Sequence, residues 1–195
     1  MSQSSATPPI PAPKPTPCWH IRPVTHATTP QVVRFIKEAR RKMFPQLSAQ
    51  RDDEVARWIQ SGCFLFATEQ SESTDQEATE EEDEIIATIG FVPYDHRFTH
   101  FPPYADARRT VEVVRLFVLP PFRRCGLASA LVGALKRRAV QDGVARLYLH
   151  THPFLPGAIA FWEKHGFGVM CVEEEDGVWR TTHMEMLVGR EGGSA

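Results

Sequence analysis

An α/β fold is predicted, with a mixed central sheet of about seven strands flanked by about four helices. Three observations predict it. Runs rich in β-branched and aromatic residues alternate with segments whose apolar residues recur at helical spacing. Their order along the chain is β-α-α-β-β-β-α-β-α-β-β. The fourth strand, the helix after it and the fifth strand also form a unit that must close as a right-handed parallel crossover, while the early and late strands can pair antiparallel. At 195 residues, 42% hydrophobic and 24% charged, one compact domain with a real core is expected.

The first strand is read at Trp19–Val24. Thr29 caps a helix with Pro30 in its first turn and an apolar stripe of Val32, Phe35, Ile36, Ala39 and Met43. Pro45 ends it. Ser48 caps the next helix, whose early Asp52 and Asp53 suit the dipole and whose Val55, Trp58 and Ile59 face inward. Strands follow at Cys63–Thr68, Ile85–Tyr94 and Thr110–Leu119. Pro120 and Pro121 stop the last of these, because neither can donate to a ladder. Leu127, Ala130, Leu131, Ala134 and Leu135 then mark a helix that begins near Cys125 or Gly126 and stops at Gly143. A fifth strand is read at Ala145–Thr151, a short helix at Gly157–His165, a sixth strand at Phe167–Glu173, a turn at Asp176–Gly177 and a last strand at Val178–Val188.

Residues 1–17 hold six prolines and little to bury, and read as a disordered tail. The domain is taken as 18–190, with 191–195 a second tail. Residues 69–84 carry nine acidic side chains and read as a solvated insertion. A net charge of −2 argues against a dedicated nucleic-acid binder. No apolar run is long enough to span a membrane, and the N-terminus lacks the apolar core of a signal peptide. Four cysteines without C-x-x-C spacing suit reduced, mostly buried thiols in a cytoplasmic protein.

The informative stretch is 115–129. A strand ends at two prolines, and Arg123, Arg124 and Gly126 open a helix with no Ser, Thr, Asp or Asn in position to cap it. Uncapped first-turn amides, the positive end of the helix dipole and two arginines suit a phosphorylated ligand, and Gly126 lets backbone approach it. The plain alternative is an ordinary glycine cap beside solvated arginines. A G-x-x-x-x-G-K-[ST] loop is absent, as is G-x-G-x-x-G after a strand.

Arg123-Arg124-Cys125-Gly126-Leu127-Ala128 resembles the [QR]-x-x-G-x-[GA] pyrophosphate loop of the GNAT superfamily of acyl-CoA-dependent N-acyltransferases. About 30 residues later, Ala158, Phe161, Lys164, Gly166 and Phe167 match that family's N-x-x-A-x-x-F-Y-x-K-x-G-F helix in register. The resemblance covers about residues 18–190 and implies the GNAT fold with acetyl-CoA as co-substrate. Backbone at Phe117, Val118 and Leu119 would pair with pantetheine, and Arg123, Arg124, Cys125, Gly126, Leu127, Ala128 and Ser129 would wrap the pyrophosphate. A bulge in the fourth strand would aim an amide at the thioester oxygen. The chain departs from the pattern at Leu155, the family's Asn position, and at Trp162, its Tyr position. That tyrosine often contacts the sulfur and protonates the leaving thiolate, whereas an indole N–H delivers no proton near neutral pH.

Transfer to an amine requires the neutral amine, hence a base. Glu112, inside an apolar strand, is a candidate base, with an ion pair to Arg115 or an edge position as the plain alternative. His150 and His152 share a face of the fifth strand as a relay or substrate contacts, or are structural histidines; no third ligand is spaced to make them a metal site. Asp95, His96 and Arg97 open the loop before the fourth strand, where Arg97 can hold a carboxylate and Asp95 a cationic amine. Tyr148 and His183 have weaker claims. Cys125 reads as a packing residue. The resemblance leads to direct N-acetyl transfer to an amine, with a small molecule as the preferred acceptor. A non-catalytic acyl-CoA-binding domain, a protein lysine or N-terminal acetyltransferase and an interaction module working through the tail and the acidic insert remain alternatives. Oligomeric state is left open.

Overall fold

A computed structural model of the chain describes residues 19–43, 52–69, 84–98, 109–174 and 179–189. Its elements are β1 (Trp19–Pro23), α1 (Thr29–Met43), α2 (Asp52–Ser61), β2 (Cys63–Glu69), β3 (Ile85–Pro93), β4 (Thr110–Val118), α3 (Leu127–Gln141), β5 (Arg146–Thr151), α4 (Ala158–Lys164), β6 (Gly168–Val172) and β7 (Thr182–Leu187). A single 3-10 turn, Pro120–Phe122, joins β4 to α3. This is the α/β fold expected: seven strands and four α-helices, in the predicted order. Both tails, Pro45, Ser48, most of the acidic insertion and the Asp176–Gly177 turn lie outside the described residues.

The strands form one sheet in the order β1-β2-β3-β4-β5-β7-β6. Only β4 and β5 run parallel, and α3 makes the crossover between them. Strand alternation divides the core in two. On one face, Phe64, Phe66, Val92 and Val114 meet Val32 and Ile36 of α1 and Val55 and Ile59 of α2. On the other, Leu65, Ala67, Val111, Val113, Leu147 and Leu149 meet Leu127, Leu131, Val132 and Leu135 of α3 and Trp162 of α4. Each fully buried Leu in this set contributes about 1.5–3 kcal/mol by leaving water.

Helix α3 starts at Leu127 rather than Cys125, because Gly126 sits in the left-handed region (φ 95°) and serves as the N-cap. It ends as the sequence predicts. Gly143 is left-handed (φ 67°), and Val144 N–H donates to Ala139 O at 2.9 Å while Gly143 N–H donates to Val140 O at 3.1 Å. Strand β7 is shorter than the sequence suggests. Arg180, at φ 36°, turns the backbone just before it. The described cysteines are less buried than expected: Cys63 and Cys171 are half-buried and Cys125 is exposed, all three free thiols, while Cys18 lies outside the described residues.

Two irregularities in β4 shape the centre of the sheet. Thr88 pairs with Phe117 but Gly90 with Val114, so β4 carries an extra residue, and Arg115 takes φ 59°. Thr88 Oγ1 donates to Arg115 O at 3.0 Å and satisfies the carbonyl that the bulge frees. On its other edge, β4 pairs with β5 only at Thr110–Arg146, Val111–Leu147 and Glu112–Tyr148. Both strands continue beyond that point without further pairing among the described residues. The sheet therefore opens a wedge above Glu112 and Tyr148.

Candidate active site

The wedge is bounded at one end by the turn into α3. The 3-10 turn leads through Arg124 (φ 65°) and Gly126 into the helix, which has no side-chain cap. The helical ladder begins with Ala130 N–H donating to Gly126 O at 3.0 Å, so the amides of Leu127, Ala128 and Ser129 precede it. A Cβ on Gly126 would meet nothing within 4 Å, so the space beside this residue is open. Arg123, Arg124 and Cys125 are exposed around them. Arg123 is partly committed: its Nε donates to Val118 O at 2.9 Å and its guanidinium lies 5.6 Å from the Phe117 ring. Cys125 Sγ turns back on Phe122 O at 2.7 Å. Behind the loop, Ser129 Oγ lies 3.1 Å from His165 Nε2, and Lys136 Nζ donates to His165 O, so α3 and α4 are tied together. Burial, with the charges of Lys136 and Lys164 behind it, holds His165 below the ordinary imidazole range.

The wedge floor on the α1/α2 face is polar. Glu112 is 2% exposed and bound through both oxygens, with Arg97 Nη1 donating to Oε2 and Arg97 Nη2 to Oε1, each at 2.6 Å. His150 Nδ1 comes within 3.0 Å of Oε1, off the N–H axis. Burial pushes the Glu112 carboxyl up, but the contacts from His150 and Arg97 outweigh it and leave the group below the ordinary glutamate range. Arg97 also donates to Asp95 Oδ1 at 2.9 Å. Sequence reading placed Arg97 and Asp95 as substrate holders. Here the two are bound to each other, and Arg97 serves the buried carboxylate.

The Glu112–Arg115 ion pair, one of the plain alternatives for Glu112, does not form. The bulge keeps Arg115 on the α1/α2 face, where its guanidinium lies 4.7 Å from the Trp58 ring. Burial, then the like charge of Arg40, pulls it down to about 10.

Around Glu112 is a cluster of rings. His150 and His152 do share a face, with ring centroids 5.6 Å apart. His152 continues outward to Phe154 (5.0 Å, stacked) and Trp179 (5.2 Å). Tyr94 lies over Tyr148 at 4.7 Å, and Phe98 contacts His150 at 5.5 Å and His183 at 4.8 Å. His96, at φ 55°, is exposed and touches Tyr94 at 4.6 Å rather than the wedge floor. Tyr148 and His183, both fully buried, are joined by a 2.7 Å hydrogen bond between the Tyr148 hydroxyl and His183 Nδ1. Glu173 Oε1 stands 3.1 Å from His183 Nε2. Tyr148 and His183 have only weak claims from the sequence alone. The signal for them was in the register, since Tyr148 pairs with Glu112 and His183 with His150. Trp162 is 8% exposed and packs on Phe167 in the α3/α4 core, with ring centroids 5.2 Å apart. Among the described residues, no group of acidic, His or Cys side chains is arranged to hold a metal.

Residues 33–167 match the acetyltransferase (GNAT) family. The chain belongs to that family. GNAT enzymes are acetyl-CoA-dependent N-acyltransferases, and the uncapped α3 turn, the β4 bulge and the wedge fit such a co-substrate. Several solved structures share the fold. Ard1 from Thermoplasma volcanium has a TM-score of 0.63 at 16% identity over 88% of this chain and 99% of that one. NAA60 from Arabidopsis thaliana, in complex with acetyl-CoA, has 0.63 at 14% over 87% and 98%. Ribosomal-protein-alanine N-acetyltransferase from Brucella melitensis has 0.60 at 17% over 86% and 99%. No curated protein matches the sequence. At Trp162, where the resemblance puts the family's tyrosine, the chain carries a buried indole. Among the described residues, no helix is long and apolar enough to cross a membrane.

Proposed function

We propose that the protein transfers the acetyl group of acetyl-CoA directly to a primary amine, with His150 as base and Glu112 as its orienting partner. The Glu112 environment carries this reading. A carboxylate saturated by a two-bond guanidinium pair is a weak proton acceptor, whereas an imidazole held beside it can take a proton from an entering amine. The amides of Leu127, Ala128 and Ser129 and the exposed Arg124 are assigned to the pyrophosphate, and β4 from Phe117 to Leu119 to the pantetheine. Bound there, acetyl-CoA supplies an activated acyl group. The chain's own part is to hold it, aim a backbone donor from the bulge at Arg115 and accept the amine proton at His150.

The acceptor we assign is a small-molecule amine. Support comes from the rings of Tyr94 and Phe98 and the Arg97 head, which crowd the approach to His150 and suit a compact acceptor. A protein N-terminus or lysine is the second reading, favoured by the Phe154 ring. It is 43% exposed, stacked on His152 and next to Trp179, as an apolar shelf beyond the catalytic imidazole.

Release of free CoA thiol, followed over a panel of polyamines, amino acids, aminoglycosides and peptides with free N-termini, tests both. His150→Gln should lower kcat about 100-fold or more with acetyl-CoA affinity retained. Equal turnover by His150→Gln removes the base assignment, and no turnover with any amine removes the proposed activity.

A further inference from the structure

The Tyr148–His183–Glu173 chain has no part in the assignments above. Two of its members are fully buried, and burying a hydroxyl and an imidazole is unfavourable unless they are partnered. They are hydrogen-bonded to each other at 2.7 Å, and Glu173 Oε1, on a side chain 25% exposed, stands 3.1 Å from His183 Nε2 as an ion-pair contact off the N–H axis. The three groups thus run from solvent at the start of the β6–β7 connection to Tyr148, whose backbone borders the apex of the wedge. Tyr148 is the last β5 residue paired to β4, opposite Glu112. The site also lacks a proton donor where relatives place one, because Trp162 is packed into the core.

We propose that Tyr148, backed by His183 and Glu173, delivers the proton to the departing sulfur. This rests on the acetyl-transfer reading. As the acyl C–S bond breaks, its electron pair goes to sulfur. The Tyr148 hydroxyl hydrogen moves to that sulfur while the Nδ1 hydrogen of protonated His183 moves to the Tyr148 oxygen. The Glu173 carboxylate balances the imidazolium before the step. After the thiol leaves, water at Tyr148 returns a proton by the reverse path. The titratable groups around His183 include Tyr148, Glu173, His150 across β5 with rings 6.4 Å apart, and Cys171 across β6. Tyr94 and Phe98 cover the Tyr148 ring at 4.7 and 6.3 Å. Both lie on the segment that carries Arg97.

Tyr148→Phe keeps the ring and removes only the oxygen. With wild-type turnover established, the variant should lose about 100-fold in kcat, keep its KM for acetyl-CoA within about twofold and melt close to wild type. A 15N NMR spectrum of the unliganded protein at neutral pH reads the chain independently of turnover. His183 should carry protons on both nitrogens, become neutral in Glu173→Gln, and shift when CoA is added but not when desulfo-CoA is added. An active wild type with an equally active Tyr148→Phe overturns the proton route and leaves the acetyl-transfer reading standing. A neutral His183 indifferent to CoA overturns it too. Absence of wild-type turnover overturns both.

Discussion

Arg97 and Glu112, fifteen residues apart in sequence, are joined by two 2.6 Å hydrogen bonds at the apex of the β4–β5 wedge. The carboxylate is 2% exposed and the guanidinium side chain 41% exposed, so the ion pair faces the wedge through its cation. Arg97→Gln leaves a buried charge with only His150 beside it. It should destabilise the fold by about 3 kcal/mol, toward the low end of broken buried pairs because the arginine head is partly solvated. The acid limb should change as well. Glu112 is depressed in the folded state, so its stabilisation is complete above the ordinary glutamate range and is lost as pH falls through that range to the folded value. Removing Arg97 raises the folded value and flattens this dependence. Urea melts at pH 7 and pH 3.5 check both. Equal stability of variant and wild type at pH 7 would show that the pair contributes nothing.

Gly126 separates ligand binding from backbone strain. Its φ of 95° penalises any side chain, and Gly126→Ala should cost about 1–2 kcal/mol. Gly126→Glu carries the same backbone penalty, because a Cβ there meets nothing within 4 Å. It also puts a negative charge in front of the first-turn amides. The two variants should therefore melt within about a degree of each other, while acetyl-CoA binding falls at least tenfold further in the glutamate variant. Calorimetry on both decides it. Equal affinities would remove this turn as the pyrophosphate site.

Thr88 is the hydroxyl that supports the β4 bulge, and it is fully buried. Thr88→Val keeps the shape and deletes the donor, leaving Arg115 O without it. The expected cost is about 1–3 kcal/mol. If the bulge amide serves the thioester carbonyl, kcat should fall more than acetyl-CoA affinity. A loss confined to stability would detach the bulge from catalysis.

Elements with a local signature were legible in the sequence. The α3 boundaries follow from Pro120, Pro121 and Gly143, and the buried stripe of Val32, Ile36 and Ala39 is the helical period itself. The uncapped turn into α3 was legible for the same reason, since its prolines and glycine lie close together in the chain. The wedge floor was not. Arg97 meets Glu112 because β3 and β4 lie side by side and their ends carry the two residues together, and no spacing in the chain encodes that contact. Regular alternation puts Arg115 on the face opposite Glu112; the bulge and the left-handed turn at Arg115 bring it to the α1/α2 face, where its side chain meets Trp58. Tyr148 and His183 come together across the β5–β7 pairing, a register that alternation alone does not fix.

Trp162 tests whether the acid has moved to another place in the fold. If the indole were simply a damaged proton donor, Trp162→Tyr would restore the relatives' residue and raise kcat. Its position argues otherwise. The ring is 8% exposed, lies 5.2 Å from both Phe161 and Phe167, and belongs to the core under α3. A tyrosine there fills less volume and brings a hydroxyl into apolar surroundings, at a cost of about 1–3 kcal/mol. The expected outcome is a lower melting temperature with kcat unchanged or reduced. Thermal melts and initial rates with saturating acetyl-CoA measure it, and a rate gain of tenfold or more would return the proton donor to α4 and take it from Tyr148.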